Sequence, residues 1–315
     1  MIEHIADPVC GYRLKPNQQG YVLASLAHIN RWGYRGKDWP LEKPAHTVRI
    51  AVVGASLAFG HGIEDDATYA AQLEKILNNS RKEGDPWYEV LNFGIPGYDI
   101  GHSLKCLRTD VLKFHPDIAI MNFFFLDLFY IKDYGFYPRM FELEKKNFSS
   151  LRWNFLNLCR HSRLAMYLWD RIKKQLKFRE PDELDRLIEA YVEDGVTPPD
   201  GPNRDGWTFV TEKLAEFGQS AKENHFKPFY MMIPPYQEIF QTHPKSTYAQ
   251  YLAAQCRQFG IEPLLLASAL RESGMDPKEY LIPYDFHFKP RGHQFIAEFL
   301  AKQILDYEES VQAKV

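Results

Sequence analysis

Short apolar runs alternate with amphipathic stretches from about residue 46 to the end of the chain. The runs have the length of buried strands, and the stretches between them repeat apolar residues at the spacing of a helix. Strands that alternate with helices are typical of βαβ units, in which a parallel sheet lies between two layers of helices. The pattern predicts strands at 48–53, 88–93, 118–125, 228–233 and 261–266, with helices that include 69–77, 103–114 and 207–224.

The same pattern divides the chain into two parts. Residues 1–45 lack the alternation and contain the turn-forming segment 16–20 (PNQQG), so we predict an irregular N-terminal arm packed on the core. Residues 46–310 are predicted to form one α/β domain. About 100 residues separate the third strand from the fourth, which is far more than one crossover needs. We therefore predict a helical insertion at about 128–205.

Composition and charge narrow the classes of function. The chain has 315 residues, of which 45% are apolar, and this is enough to bury one large core. A net charge of −3 gives no long-range attraction to nucleic acid or to anionic membranes. No apolar run reaches the length of a membrane span, and the N-terminus lacks the basic start and apolar core of a signal peptide. The four cysteines are far apart and are expected to be core or free thiols, so we expect a cytoplasmic protein.

Two positions suggest nucleophilic chemistry. Ser56 comes directly after the first predicted strand, so its hydroxyl is expected at the carboxyl edge of the sheet. His287 lies about 230 residues later, just before the last predicted helix. Serine is a poor nucleophile until a base takes its proton, and the pair therefore indicates acyl transfer or hydrolysis. The structural alternatives are a tight turn of small residues at Ser56 and a packing role for His287.

Three segments resemble the sequence blocks of one family in the correct order. The segment 54–60 (GASLAFG) resembles the first block of the GDSL/SGNH hydrolases, 92–97 (NFGIPG) the second, and 287–293 (HFKPRGH) the last. The resemblance spans about residues 46–305. It implies a three-layer α/β/α sandwich with a flavodoxin-like, parallel five-stranded sheet, here carrying the helical insertion. It also implies the activity of a serine esterase or lipase.

The resemblance assigns a role to each matching residue. Ser56 would be the nucleophile, and its own N–H together with that of Gly94 would bind the oxyanion. His287 would be the general base. The acid that orients it usually stands three residues earlier, where this chain has Tyr284, and Asp285 is the nearest carboxylate. Asp285 either completes the triad or is a loop carboxylate that faces water or caps a turn.

The third block of the family, G-x-N-D, is altered in this chain. Its asparagine normally donates to the oxyanion, but Leu126 occupies that position and cannot donate. Asn122 lies four residues earlier on the same strand face and is the candidate replacement, while Asp127 keeps the aspartate of the block. We place both with Gly94 among the candidate oxyanion and substrate-binding residues. Loss of one such donor typically slows an enzyme by about 100- to 1000-fold.

The sequence therefore predicts a serine-dependent hydrolase of an O-acyl ester on a carbohydrate or lipid. One alternative is an acyltransferase that uses the same site, and another is a binding or scaffold protein with an impaired site. No His, Asp or Glu set has metal-ligand spacing, so we predict neither a metal nor another cofactor. The expected partner is a small-molecule or saccharide ester and not a nucleic acid, and the oligomeric state is left open.

Overall fold

The computed structural model describes residues 2–22, 25–128, 162, 164, 168, 183–235, 238–239, 246–282 and 287–313. Most of the predicted insertion at 128–205 therefore lies outside the described residues, which include 183–205 and the single positions 162, 164 and 168.

The N-terminal arm contains two short antiparallel ladders. Strand β1 (His4–Asp7) pairs with β2 (Gly11–Leu14), and β3 (Gln18–Val22) pairs with β4 (Ser25–Ile29). The prediction that residues 1–45 are irregular is wrong in this respect. These strands have only four or five residues and expose part of each face, so their apolar pattern is weak.

Five parallel strands form the central sheet, as the apolar runs predicted. Their spatial order is β6–β5–β7–β8–β9, which is the 2-1-3-4-5 order of flavodoxin-like folds. Parallel strands covered by helices on both faces read as continuous apolar runs, which explains why the sequence located them closely. The strands are β5 (Thr47–Gly54), β6 (Trp87–Gly94), β7 (Ile118–Phe123), β8 (Lys227–Met232) and β9 (Glu262–Leu265).

Helices cover both faces of this sheet and create the three layers. In chain order the described helices are α1 (Ser56–Phe59), α2 (Tyr69–Ser80), α3 (Ile100–Thr109), α4 (Glu183–Val192), α5 (Arg204–Asn224), α6 (Tyr248–Gln258), α7 (Leu266–Glu272), α8 (Pro277–Tyr280) and α9 (Pro290–Gln312).

The core is divided into two apolar clusters by the sheet. Ala51 and Val53 of β5 face one cluster, which contains residues of α3, α4, α5, α6 and the N-terminal arm. Ile50 and Val52 face the other cluster, which contains residues of α2, α7 and α9. The alternation along one strand therefore fixes which helices lie on which side.

Arg49 joins the arm to the amino end of the sheet. Its side chain is fully buried, and its guanidinium pairs with Glu89 at 2.9 Å. It also donates to the backbone carbonyls of Phe114, at 2.7 Å, and Pro40, at 2.8 Å. A buried guanidinium needs this many partners, and the contacts hold the end of the arm against the sheet.

Candidate active site

The candidate site lies at the carboxyl end of β5, where the strand order reverses. Strands β6 and β7 lie on opposite sides of β5, and ligands of such sheets bind at this switch point. Ser56 is the first residue of α1, only two residues after the last residue of β5. Gly54 allows the tight exit, because a Cβ there would lie 3.2 Å from both the Ala58 Cβ and the Asn122 Nδ2.

Ser56 and His287 are brought together from opposite ends of the domain. The Ser56 Oγ lies 2.8 Å from the His287 Nε2, although 231 positions separate the two residues. The His287 carbonyl accepts a hydrogen bond from the Ile282 N–H at 2.9 Å, and the Lys289 N–H donates to the Tyr280 carbonyl at 2.8 Å. Helix α9 then begins at Pro290, so backbone contacts on both sides hold the histidine in place.

A second imidazole lies against the first. The His61 ring stacks on the His287 ring with centroids 4.6 Å apart and planes inclined by 28°. His61 is placed by the loop after α1, in which Gly60 and Gly62 both adopt positive φ. Its backbone N–H donates to the Ser56 carbonyl at 3.0 Å. The loop that follows the serine thus returns to support the histidine.

The buried guanidinium of Arg35 holds this loop from the side of the N-terminal arm. It donates to the carbonyls of Phe59, at 3.0 Å, Gly60, at 2.5 Å, and Ile63. It also pairs with the Asp65 carboxylate at 2.7 Å. Neither the contacts of Arg35 with this loop nor the stacking of His61 on His287 was predicted from the sequence. The available signal was the pair of glycines around His61, which indicates a loop with a required shape.

His293 is a buried neutral residue behind the site. Its Nδ1 accepts the Tyr69 N–H at 3.0 Å, at the start of α2. Burial, followed by the nearby Arg35 and His287, lowers the pKa of His293 to about 3. A charged imidazolium is therefore excluded at neutral pH, which fits an acceptor that fastens α2 to α9.

Gly94 does not fit the role expected for it. Its N–H already donates to the Asn92 Oδ1 at 2.9 Å, and a Cβ at this position would lie 2.2 Å from the Phe59 N. Gly94 is thus a close packing contact between β6 and α1. Gly97, three residues later, is half-exposed and has φ +87°. Within the described part of the chain its N–H has no hydrogen-bond acceptor.

Asn122 lies close to β5, and one N–H of its amide is used there. The Asn122 Nδ2 donates to the Tyr69 Oη at 2.9 Å, and the side chain lies beside Gly54 beneath α1. The expected replacement for the missing asparagine is therefore directed at Tyr69 in this structure.

Asp127 is also buried, and it links two elements. Its carboxylate accepts the N–H groups of Ile100 and Phe124, both at 3.0 Å. Burial, with Asp99 nearby, raises the pKa of Asp127 well above its usual range. It ties the start of α3 to the end of β7. Asp285 and the side chain of Leu126 lie outside the described residues.

The described ranges contain neither a metal-binding cluster nor a membrane-spanning helix. No group of three or more His, Cys, Asp or Glu side chains there is arranged to hold a metal ion. None of the helices described there combines the length and the apolar character that crossing a membrane requires. Cys10, Cys106 and Cys256 are buried free thiols.

Comparison with known proteins finds similarity only among solved structures. No family model and no curated protein matches the chain. A structure of TesA matches at 13% identity and a TM-score of 0.47, over 80% of this chain and 95% of its own. A lipolytic protein of the G-D-S-L family from Desulfitobacterium hafniense DCB-2 matches at 13% identity and a TM-score of 0.43, over 81% and 98%. An acetylxylan esterase from Geobacillus stearothermophilus matches at 14% identity and a TM-score of 0.46, over 82% and 94%. The solved structures that match this five-stranded α/β fold thus include GDSL/SGNH hydrolases.

Proposed function

We propose that this protein is a serine-dependent ester hydrolase in which Ser56 is the nucleophile and His287 the general base. One observation carries the proposal, namely the 2.8 Å separation of the Ser56 Oγ and the His287 Nε2 at the carboxyl end of β5. A hydroxyl within hydrogen-bond reach of an imidazole is the arrangement that activates a serine. The block resemblance of segments 54–60, 92–97 and 287–293 supports the same assignment.

The proposed reaction uses the histidine twice. The Ser56 Oγ attacks the ester carbonyl carbon while the His287 Nε2 takes the hydroxyl proton. The same proton then goes to the leaving alcohol as its bond to carbon breaks, which gives an acyl-serine. His287 next deprotonates a water molecule that attacks this acyl group, and the acid leaves as the proton returns to Ser56. We assign the orientation of the imidazole to stacking by His61 and, as part of the proposal, to Asp285 at Nδ1.

We propose the N–H groups of Ser56 and Gly97 as the oxyanion donors. The Gly94 N–H is directed to Asn92, whereas Gly97 lies in the turn that follows the contact of Gly94 with α1. Leu126 adds no donor, so the site would work with two donors where the family pattern has three. We expect turnover about 100- to 1000-fold below that of a three-donor site.

Covalent labelling of Ser56 is the direct test. Wild type and Ser56→Ala are incubated with a fluorescent alkyl phosphonate, and the labelled peptide is identified by mass spectrometry. Ser273→Ala is the matched control, because the hydrogen bonds described for that hydroxyl are local: it donates to the Leu270 carbonyl at 2.7 Å and accepts the Met275 N–H at 3.3 Å. We expect label on Ser56 in wild type and in Ser273→Ala and none in Ser56→Ala. A folded wild type that takes no label would refute the proposal and favour a binding or scaffold role.

Hydrolysis assays then define the reaction and the substrate. Aryl acetate, longer acyl esters and an acetylated sugar are compared as representatives of the proposed lipid and carbohydrate O-acyl esters. We expect Ser56→Ala and His287→Ala each to lower kcat by about 10⁴-fold or more. Products are analysed with an added alcohol acceptor, since predominant acyl transfer would indicate the acyltransferase variant of the same site.

A further inference from the structure

The Tyr12 side chain reaches from the N-terminal arm to the turn beside Ser56. Tyr12 is only 3% exposed, and its hydroxyl donates to the Pro96 carbonyl at 2.8 Å. In return, the Tyr98 hydroxyl donates to the Tyr12 carbonyl at 2.6 Å, and the two rings meet edge to face with centroids 5.3 Å apart. Each tyrosine hydroxyl therefore donates to a backbone carbonyl of the other segment, and the two hydrogen bonds join the arm to the turn.

The turn has a shape in which the direction of one peptide group matters. It is closed by the Tyr98 N–H, which donates to the Ile95 carbonyl at 3.2 Å. Pro96 is its second residue and Gly97, at φ +87°, its third, which is the pattern of a type II turn. A trans peptide directs its C=O and N–H to opposite sides. Because Tyr12 holds the Pro96 carbonyl toward the arm, the Gly97 N–H points away from the arm.

That direction places the N–H on the side of α1. The turn follows Gly94, which packs on the backbone of Ala58 and Phe59, and the Ile95 N–H donates to the Gly54 carbonyl at 2.9 Å. The Pro96–Gly97 peptide therefore begins one residue after Ile95, whose N–H is bonded to Gly54, two positions before Ser56.

Glycine at the third position allows the central peptide of the turn to flip. Type I and type II turns differ by a flip of the central peptide, and only glycine accepts both resulting φ values at low cost. The flipped peptide would present the Pro96 oxygen, which carries partial negative charge, where the Gly97 N–H now points. A hydrogen bond to the Pro96 carbonyl selects against this flip.

We propose that Tyr12 is a positioning residue that holds the Gly97 N–H toward the oxyanion formed at Ser56. The inference rests on the proposed function, and it assigns a catalytic purpose to the N-terminal arm. Tyr12 does not touch the substrate and acts only through the Pro96–Gly97 peptide.

Tyr12→Phe tests the inference, because it removes the hydroxyl and keeps the ring. An oxyanion contact is made only in the transition state, so its loss lowers kcat and leaves KM nearly unchanged. We expect kcat on an aryl acetate to fall about tenfold, with KM within about twofold of wild type. The rate at which the phosphonate labels Ser56 should fall by the same factor, since its P=O oxygen occupies the oxyanion position.

Tyr98→Phe is the matched control. It removes the reciprocal hydrogen bond from the same pair of rings and leaves the contact with the Pro96 carbonyl in place. We expect a similar small fall in melting temperature for both variants and a kcat within about twofold of wild type for Tyr98→Phe.

Three outcomes would overturn the inference. Equal loss of kcat in both variants would mean that Tyr12 only stabilises the arm. A labelled wild type with an unchanged labelling rate in Tyr12→Phe would exclude the positioning role and leave the proposed hydrolase intact. A wild type without any label would remove both proposals together.

Discussion

Replacement of Arg35 by methionine would show how one buried side chain affects both the stability of the fold and the reactivity of Ser56. Methionine fills much of the space of the arginine stem but donates no hydrogen bond. The carbonyls of Phe59, Gly60 and Ile63 would each lose a donor, and Asp65 would lose a cation. These carbonyls belong to the loop that carries His61 to the His287 ring. The substitution should therefore affect both the stability of the fold and the position of the His287 imidazole.

The magnitude follows from the number of buried partners. A buried carbonyl left without a donor costs about 1–3 kcal/mol, although part of this cost is relieved where water can enter. Asp65 is 26% exposed and keeps His28 at 2.6 Å, so its loss of a partner adds little. The loss of three such donors, partly relieved by water, should cost about 3–5 kcal/mol in total. We expect the free energy of unfolding to fall by about this amount, with a melting temperature lower by about 5–10 °C.

The assay combines thermal unfolding with the rate of Ser56 labelling at 20 °C. Arg49→Met is the matched control for stability, because Arg49 is also a buried guanidinium bound to carbonyls but lies at the amino end of the sheet. Arg31→Met is the control for the segment, since the exposed Arg31 side chain donates to the Trp39 carbonyl at 3.0 Å and lies over the Trp32 ring, away from the loop that carries His61. We expect similar losses of stability in Arg35→Met and Arg49→Met, and slower labelling, by about fivefold or more, in Arg35→Met alone.

Either of two results would refute this reasoning. If the melting temperature of Arg35→Met stays within 2 °C of wild type, on the order of the effect of an ordinary surface substitution, the guanidinium does not hold the loop. If both buried-arginine variants label Ser56 at the wild-type rate while folded, the loop does not position His287.

Two other predictions concern packing and pH. Gly94→Ala should destabilise the protein by about 3 kcal/mol or more, because the new Cβ would meet the backbone of Phe59 and Ala58 at 2.2–2.6 Å. Gly260→Ala, at φ +73° with no atom within 4 Å, should cost only about 1–2 kcal/mol, and equal urea midpoints for the two variants would contradict the clash. The pKa of His293 is lowered from 6.5 to about 3, so below pH 6.5 the unfolded chain binds a proton that the folded chain excludes. Stability should therefore fall on acidification by up to about 1.4 kcal/mol per pH unit, and urea titrations between pH 6 and 5 should show a shallower fall for His293→Asn.

The sequence predicted the sheet well because its strands are fully buried. All six residues of β7, from Ile118 to Phe123, are buried, and an apolar run of that length favours a buried strand over a helix. The strands of the arm were missed because they are short and partly polar, as in β1, where Ile5 and Ala6 are exposed. A ladder of this kind depends on its partner strand and on the core beneath it, neither of which a local pattern contains.

The candidate site was predicted less evenly. Ser56 and His287 were found because each belongs to a recognisable block, and the structure places their side chains 2.8 Å apart. Gly94 was named as an oxyanion donor because the sequence does not show which side chain occupies its N–H. That side chain is Asn92, two residues earlier on the same strand, and only coordinates reveal its direction.

The N-terminal arm packs on one face of the sheet and also contacts the segments on either side of the candidate site. Tyr12 fixes the turn on one side of Ser56, through the Pro96 carbonyl, and Arg35 fixes the loop on the other side, through three carbonyls. Ser56 begins a helix of only four residues, which has little stability of its own. The backbone on both sides of the nucleophile is therefore held by side chains from a segment that carries no candidate catalytic group. In the hydrolase that we propose, two oxyanion donors would depend more strongly on the direction of each one, and the contact of Tyr12 with the Pro96 carbonyl would set the direction of the Gly97 N–H.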